Sequence, residues 1–260
     1  MSSFGRDDAD SDVSPAWSPD GARIAYRRRP DVPIGFQFDD GAWVMNTDGT
    51  SVRRVVPGSG GSSTLIYGWT PDSRAVAFAY AFEEATYTVV NVDSGARTKI
   101  GAYVTDLRGH SWRAATPTFA GAFMPTPKQT PQYLIVTDAP GAPERVLTRE
   151  TDIDVFLGNV RWHPTRNEIL YMRGARNVRE LYALELGGAP VRVPTTGRLL
   201  QAEWVPTGND VVYLHGGDPQ LPLVGGTELR TVRRDGTNEQ TIFVPRSGTV
   251  LTDLAVRRYT

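Results

Sequence analysis

Trp17-Ser18-Pro19-Asp20-Gly21, followed by Ile24-Ala25-Tyr26, is a pattern the chain repeats. It returns as Trp69-Thr70-Pro71-Asp72-Ser73 before Val76-Ala77-Phe78, as Trp162-His163-Pro164-Thr165 before Ile169-Leu170-Tyr171, and as Trp204-Val205-Pro206-Thr207-Gly208 before Val211-Val212-Tyr213. Trp112 heads a degenerate copy in which Arg113-Ala114-Ala115-Thr116 replaces the turn. An aromatic strand end, a Pro-containing tight turn and a β-branched or aromatic run together make a hairpin. The five tryptophans stand 52, 43, 50 and 42 residues apart, a period that matches one four-stranded propeller blade. Each repeated tryptophan is therefore expected to be buried between neighbouring blades.

Working outward from the first copy, Ala42-Trp43-Val44-Met45 reads as a third strand. It turns at Asn46-Thr47-Asp48-Gly49 into a fourth at Val52-Arg53-Arg54-Val55, Asp-Gly being a strong hairpin signal. Downstream, Tyr87 to Val92 turns toward Arg97 to Ile100, Glu180 to Leu186 toward Val191 to Val193, and Leu229 to Val232 toward Thr241 to Val244. The degenerate copy keeps strands at Phe119 to Met124, Tyr133 to Val136 and Arg145 to Leu147. The Trp-Ser-Pro-Asp-Gly turn, the Ile-Ala-Tyr strand and the Val-Met-Asn-Thr-Asp-Gly strand together resemble the repeat of TolB-type propellers, from about Ser14 to Gly248. That repeat occurs in the periplasmic Tol-system protein and in the propellers of some peptidases and lyases. The resemblance implies a fold; the family's activities differ widely, so it does not carry a function.

The expected fold is all-β: a β-propeller of five full TolB-like blades plus one extra C-terminal inner strand, Val250 to Tyr259, about one repeat beyond Trp204. The alternative is six blades with a composite or incomplete one, since propellers remove exposed edges by completing a blade from both termini. Residues 1–13 read as a flexible acidic segment and residues 14–260 as a single propeller domain.

Composition narrows the functions. The chain has 260 residues, 40% of them hydrophobic, with 26 Gly, 19 Pro and no Cys. It can bury a substantial core and is rich in turn formers. With 28 basic and 29 acidic residues its formal charge is −1, which gives no global pull toward nucleic acid or anionic lipid. Without cysteine, disulfides, thiol catalysis and thiolate metal sites are excluded. No apolar run approaches the length that spans a bilayer, so membrane insertion is not expected. Met1 to Val13 is acidic where a signal peptide is basic and then apolar. The expected compartment is the cytoplasm, or the periplasm or exterior if an upstream signal is removed.

Propeller function gathers on the face where the loops between second and third strands converge. Three such loops are long: Arg27 to Gly41, Met124 to Pro131 and His215 to Gly226. The first joins Arg27-Arg28-Arg29 to Phe36, Phe38 and Asp39-Asp40, a mixture that suits a carboxylate, a phosphate or a peptide, or else forms a solvated strand end with both Phe packed on the next blade. His110 and His215 fall toward the same face, with Asp106 or Asp218 near enough in sequence to complete a metal set, while His163 sits in a turn on the opposite face. The two histidines share no ligand spacing, so structural or surface roles are the simpler reading, and no metal or other cofactor is expected. Asp106, Asp152, Asp154 and Asp253 precede inner strands and suit either acid–base chemistry or turn hydrogen bonds. Arg173 belongs to the same rim. There is no Gly-x-Ser-x-Gly elbow, Walker loop, dinucleotide fingerprint or His-Glu-x-x-His. The leading expectation is a non-catalytic binding or scaffold module with a protein partner. The alternatives are a lyase or glycoside-active enzyme, or a binder of a small carbohydrate or peptide, at the channel mouth.

Overall fold

A computed structural model describes residues 10–30, 41–58, 64–80, 86–104, 110–114, 116–124, 131–152, 154–175, 178–216, 226–246, 249, 251 and 254. The architecture is all-β, with four strands for each tryptophan copy, grouped below as one sheet per copy. Sheet 1 holds β1 (Asp10–Trp17), β2 (Arg23–Pro30), β3 (Gly41–Asn46) and β4 (Arg53–Val56). Sheet 2 holds β5 (Thr64–Trp69), β6 (Ala75–Tyr80), β7 (Thr86–Asn91) and β8 (Arg97–Val104), and sheet 3 holds β9 (His110–Trp112), β10 (Phe119–Met124), β11 (Gln132–Thr137) and β12 (Arg145–Glu150). Sheet 4 holds β13 (Val155–Trp162), β14 (Glu168–Ala175), β15 (Val178–Glu185) and β16 (Val191–Val193). Sheet 5 holds β17 (Leu199–Trp204), β18 (Asp210–His215), β19 (Glu228–Arg233) and β20 (Gln240–Phe243). The chain divides into two compact units. One is Met1–Leu107 with Ala115–Phe119 and Thr137–Glu144, and the other is Arg108–Ala114 with Ala120–Val136 and Arg145–Thr260.

The turns after Trp17, Trp69 and Trp162 are built by the side chain of the residue that follows each. In sheet 1, Ser18 Oγ donates to Asp20 Oδ1 at 2.6 Å and accepts from Arg23 N–H at 2.9 Å. In sheet 2, Thr70 Oγ1 donates to Asp72 Oδ1 at 2.6 Å and accepts from Ala75 N–H at 3.0 Å. These local bonds satisfy the backbone groups of a reversal and explain why a hydroxyl and an aspartate recur two residues apart. In sheet 4 His163 takes the hydroxyl's place: its Nδ1 accepts from Thr165 N–H at 3.1 Å and Arg166 N–H at 2.8 Å, and its Nε2 donates to Gly208 O at 2.8 Å. Gly208 has φ +77°, and a Cβ there would run into the His163 ring, so glycine is needed twice over. The sequence placed His163 in a turn; the structure shows it buried there as part of the turn.

Consecutive sheets within each unit share their cores. Ala42, Val44 and Val56 of sheet 1 pack with Trp69, Val76 and Phe78 of sheet 2. Leu170, Leu181 and Val193 of sheet 4 pack with Trp204, Val211 and Tyr213 of sheet 5. Sheets 3 and 4 meet through Ala122, Leu134 and Val136 against Leu157, Trp162 and Tyr171. An arginine of the earlier sheet lies over each buried indole: Arg23 over Trp69 at 5.3 Å, Arg113 over Trp162 at 5.6 Å and Arg166 over Trp204 at 5.9 Å. Trp17 departs from the expectation of burial, being 59% exposed. Among the described residues no sheet lies over its indole.

The first strands of sheets 1, 2, 4 and 5 each carry a register shift three or four residues before the tryptophan or closer, as at Gly158/Arg161 and Leu199/Gln201. At the sheet 4 bulge Asn159 has φ 50°, and its amide reads the next inner strand, Nδ2 donating to Ala202 O at 2.9 Å and Oδ1 accepting from Ala202 N–H at 3.3 Å. Two differences from the sequence reading lie in sheet 1. β1 starts at Asp10, inside the stretch read as flexible, because Ser11 and Asp12 fall opposite Arg29 and Arg28 in register. β2 runs on to Pro30, so Arg27, Arg28 and Arg29 belong to a strand rather than to the loop. Of the extra C-terminal strand, Leu251 bridges Gly226 antiparallel, Leu254 is held by Gln201, and the rest lies outside the described residues.

Two outcomes follow. Trp204→Ala removes a large buried aromatic and should cost ~3–5 kcal/mol in urea unfolding, whereas Trp17→Ala should cost only about 0.5 kcal/mol; equal losses would show that burial between sheets is not what the repeat is for. Burial pushes the His163 pKa below its ordinary value, and both ring nitrogens are already committed. The unfolded chain therefore takes up that proton first, so stability should be full above about pH 6.5 and fall below it. Melting temperatures between about pH 7.5 and about pH 5 should show this decline. It should be shallower in His163→Gln, with a residue from His215, whose pKa is also lowered by burial.

Candidate functional site

Sequence candidates on the rim distribute into separate neighbourhoods. Arg28, on β2, lies over Trp43 at 4.8 Å and Tyr26 at 5.5 Å and donates to Tyr26 Oη at 3.3 Å. The neighbouring Arg27 donates to Thr64 O at 3.4 Å. The pair alternates across the strand, so one arginine serves its own sheet's aromatics and the other reaches sheet 2. Phe36, Phe38, Asp39, Asp106 and Asp218 lie outside the described residues. His110 begins β9, and its side chain lies outside them too.

In sheets 3 and 4 the structure joins Arg173 and Asp154 through Glu150, a residue the sequence reading did not single out. Glu150 is buried at the end of β12. Its Oε2 accepts from Arg173 Nε at 2.8 Å, and its Oε1 accepts from Asp152 N–H at 3.0 Å. Asp152 Oδ1 in turn accepts from Asp154 N–H at 3.0 Å, leaving Asp154 on an exposed turn. The Glu150 hydrogen bond raises the Arg173 pKa above its ordinary value. Tyr182 stacks on Tyr171 at 5.6 Å and donates to Glu180 Oε2 at 2.7 Å; burial and that carboxylate push its pKa up. The only sequence signal for Glu150 was its position just before Asp152-x-Asp154.

His215 belongs to a second network, in sheet 5. It lies against Gly197, where a Cβ would collide with its ring. Beside it, Arg230 Nε donates to Glu228 Oε2 at 2.6 Å and Arg230 NH1 donates to Thr196 Oγ1 at 2.6 Å. Glu239 accepts from the Tyr213 hydroxyl and from Thr196 Oγ1 at 2.8 Å. Burial opposes ionisation of Glu239, but these two hydroxyls carry its pKa below the usual range. Burial and the same carboxylate push Tyr213 up to about 12. Among the described residues no group of three or more His, Asp and Glu is placed to hold a metal ion.

On the turn side, a cavity of about 620 Å³ opens in sheets 1 and 2, lined by Asp20, Arg23, Asn46, Ser51, Arg53 and Asp93. Arg23 and Arg53 share Asp93, at 3.1 and 2.8 Å, and the Arg53 bond is the largest reason its pKa is low. The charges of this cavity are thus directed at one another.

The exposed apolar surface gathers elsewhere, at the outer strand of sheet 5. Register makes the comparison direct: Val56 pairs Ala42, Val193 pairs Leu181 and Phe243 pairs Leu229. Val56 and Val193 are buried by the following sheet, but Phe243 is 51% exposed, and Ile242 and Val244 beside it are 51% and 62% exposed. β4, β12 and β16 carry Arg53 and Arg54, Arg145 and Arg149, and Arg192, whereas Gln240-Thr241-Ile242-Phe243 carries no charge. Charge on an outer strand discourages edge pairing, and β20 lacks that protection. Sequence alone gave Thr241 to Val244 as a strand but had no means of knowing that nothing covers it.

No protein-family model matches the chain, and no curated protein matches it in sequence. Its likeness to known proteins lies in structure. TolB from Acinetobacter baumannii is 16% identical with a TM-score of 0.62, covering 86% of this chain and 53% of that one. The chain thus spans about half the length of that TolB. A putative TolB from Agrobacterium tumefaciens is 14% identical with a TM-score of 0.61, covering 90% and 81%. A prolyl endopeptidase is 16% identical with a TM-score of 0.67, covering 92% of this chain and 37% of that one. At such identities the likeness speaks for the fold alone, and that fold is the TolB-like β-propeller.

Proposed function

We propose that this chain is a non-catalytic β-propeller module that binds a protein partner. The observation that carries this reading is the run Ile242-Phe243-Val244, three consecutive exposed apolar residues at the end of an uncharged outer strand and just beyond it. Contiguous exposed apolar surface is what association removes from water, and a half-exposed phenylalanine at its centre suits a desolvated anchor. The rim's polar candidates support the same reading: Arg173 is engaged by Glu150, and His215 lies against Gly197 beside the ion-paired Arg230. TolB-like neighbours lend the analogy of a binding propeller, at the level of fold.

Affinity capture from the native host, comparing the wild-type chain with Phe243→Ala and with the Phe36→Ala/Phe38→Ala pair, tests the reading. A partner held by the wild type should bind Phe243→Ala more weakly by ~2 kcal/mol or more if that side chain is a hot spot, with melting temperature unchanged. Loss with the second variant instead would move the site to residues 31–40. A chain that captures no protein but cleaves a carbohydrate polymer would replace the binding reading with the enzyme one.

A further inference from the structure

A second cavity on the turn side, of about 460 Å³, is lined by the Trp69 turn, by β7 and β8, and by Thr116, Pro117 and Pro140, all within one compact unit. Its size falls in the range of small-molecule sites, roughly 300–1,000 Å³. Register sets it against the cavity of sheets 1 and 2. Trp17 pairs Ile24 and Trp69 pairs Val76, so Ala75 stands where Arg23 does. Ile24 pairs Met45 and Val76 pairs Val90, which matches Val89 to Val44; Val44 pairs Arg53 and Val89 pairs Thr98, so Thr98 stands where Arg53 does. The wall that Asp93 lines from the turn between β7 and β8 is lined by Pro140 from the turn between β11 and β12. Three charges that close on one another in the first cavity are thus replaced by small or apolar groups in the second.

What remains ionic is a pair on the rim, Asp72 and Arg74, both exposed. Asp72 Oδ1 accepts from Thr70 Oγ1 at 2.6 Å and from Arg74 N–H at 3.1 Å, and no hydrogen bond among the described residues uses Oδ2. Burial opposes ionisation of Asp72, but the Thr70 hydroxyl, the Arg74 N–H and the Arg74 charge carry its pKa below the usual range. The Arg74 guanidinium makes no hydrogen bond or ion pair among the described residues. Arg23, by contrast, is committed to Ser73 O at 2.7 Å and to Asp93 at 3.1 Å. Behind the rim, Pro71, Val89, Pro117 and Pro140 supply an apolar wall.

We propose that this cavity binds a free α-amino acid with an apolar side chain, its carboxylate on Arg74, its ammonium on Asp72 Oδ2 and its side chain against the proline-rich wall. The arginine fork matches a carboxylate. An ammonium offsets the Asp72 charge, which a simple organic acid would meet as a like charge. Two opposite charges on one rim therefore favour a zwitterion over either ion alone, and the wall removes the ligand's side chain from water. The cavity of sheets 1 and 2 offers no such pair, since Arg23 and Arg53 are both held by Asp93. This site is separate from β20 and stands or falls apart from the protein-binding reading.

Isothermal titration of the full chain with L-phenylalanine is expected to give saturable binding. 3-Phenylpropionate, which lacks the ammonium, and L-phenylalaninamide, which lacks the carboxylate, should each bind more weakly by about tenfold or more, the scale of a lost charged hydrogen bond. Arg74→Gln should weaken phenylalanine by a similar factor, and Thr98→Trp, which fills the cavity from β8, should abolish binding. Arg53→Gln, in the other cavity, should change nothing, and circular dichroism melts should show the variants folded. If Thr98→Trp fails to fold, Arg74→Gln decides. Absence of saturable binding, equal binding of 3-phenylpropionate or of the amide, or binding indifferent to Arg74→Gln overturns the proposal.

Discussion

Burial of one sheet's outer strand by the next sheet's tryptophan and second strand is the contact on which the rest of this structure depends. A single four-stranded sheet has two faces and cannot bury either alone. In sheets 1 and 2, and again in sheets 4 and 5, the problem is solved the same way, with Val56 or Val193 enclosed by Trp69 or Trp204 and the strand that follows. Arginines over the indoles and the Asn159 amide on Ala202 then fix how each sheet sits on its neighbour within a unit. Where no such cover lies over it among the described residues, an aromatic is left exposed, as Trp17 and Phe243 are.

Polar groups in the interior follow a complementary logic. Buried Glu150 and Glu168 and half-buried Glu239 each receive hydrogen bonds or ion pairs: Glu150 from Arg173, Glu168 from Arg166 and Arg234, Glu239 from Tyr213 and Thr196. Burying a carboxylate is tolerable only when such partners replace water. Several residues with the chemistry of an active site therefore serve to hold strand ends and turns. The apolar run on β20 is the contrasting case, a surface whose cover is not provided by the described residues.

Much of sheet architecture was legible because it is written locally. A hydroxyl after tryptophan and an aspartate two residues on close a turn through bonds that span five residues or fewer, and alternation fixes the strands that follow. The bulges were not legible: Asn159 at φ 50° looks in sequence like any residue of a strand. Nor was Glu150, whose partner Arg173 lies 23 residues away. Strand ends misled as well, since Arg27 to Arg29 looked like loop until register against Asp12 and Ser11 continued β2 to Pro30.

By itself the sequence determined the all-β class, the repeat length, the turn chemistry and the strands of each sheet, because those rest on near neighbours and on periodicity. Only the tertiary structure decided which copies of a repeated residue are buried. Trp17 and Trp204 have the same local context, yet one is exposed and the other enclosed, because burial depends on whether another sheet lies against that face. Val193 and Phe243 differ for the same reason, and so the candidate binding surface became visible only once the sheets were in place.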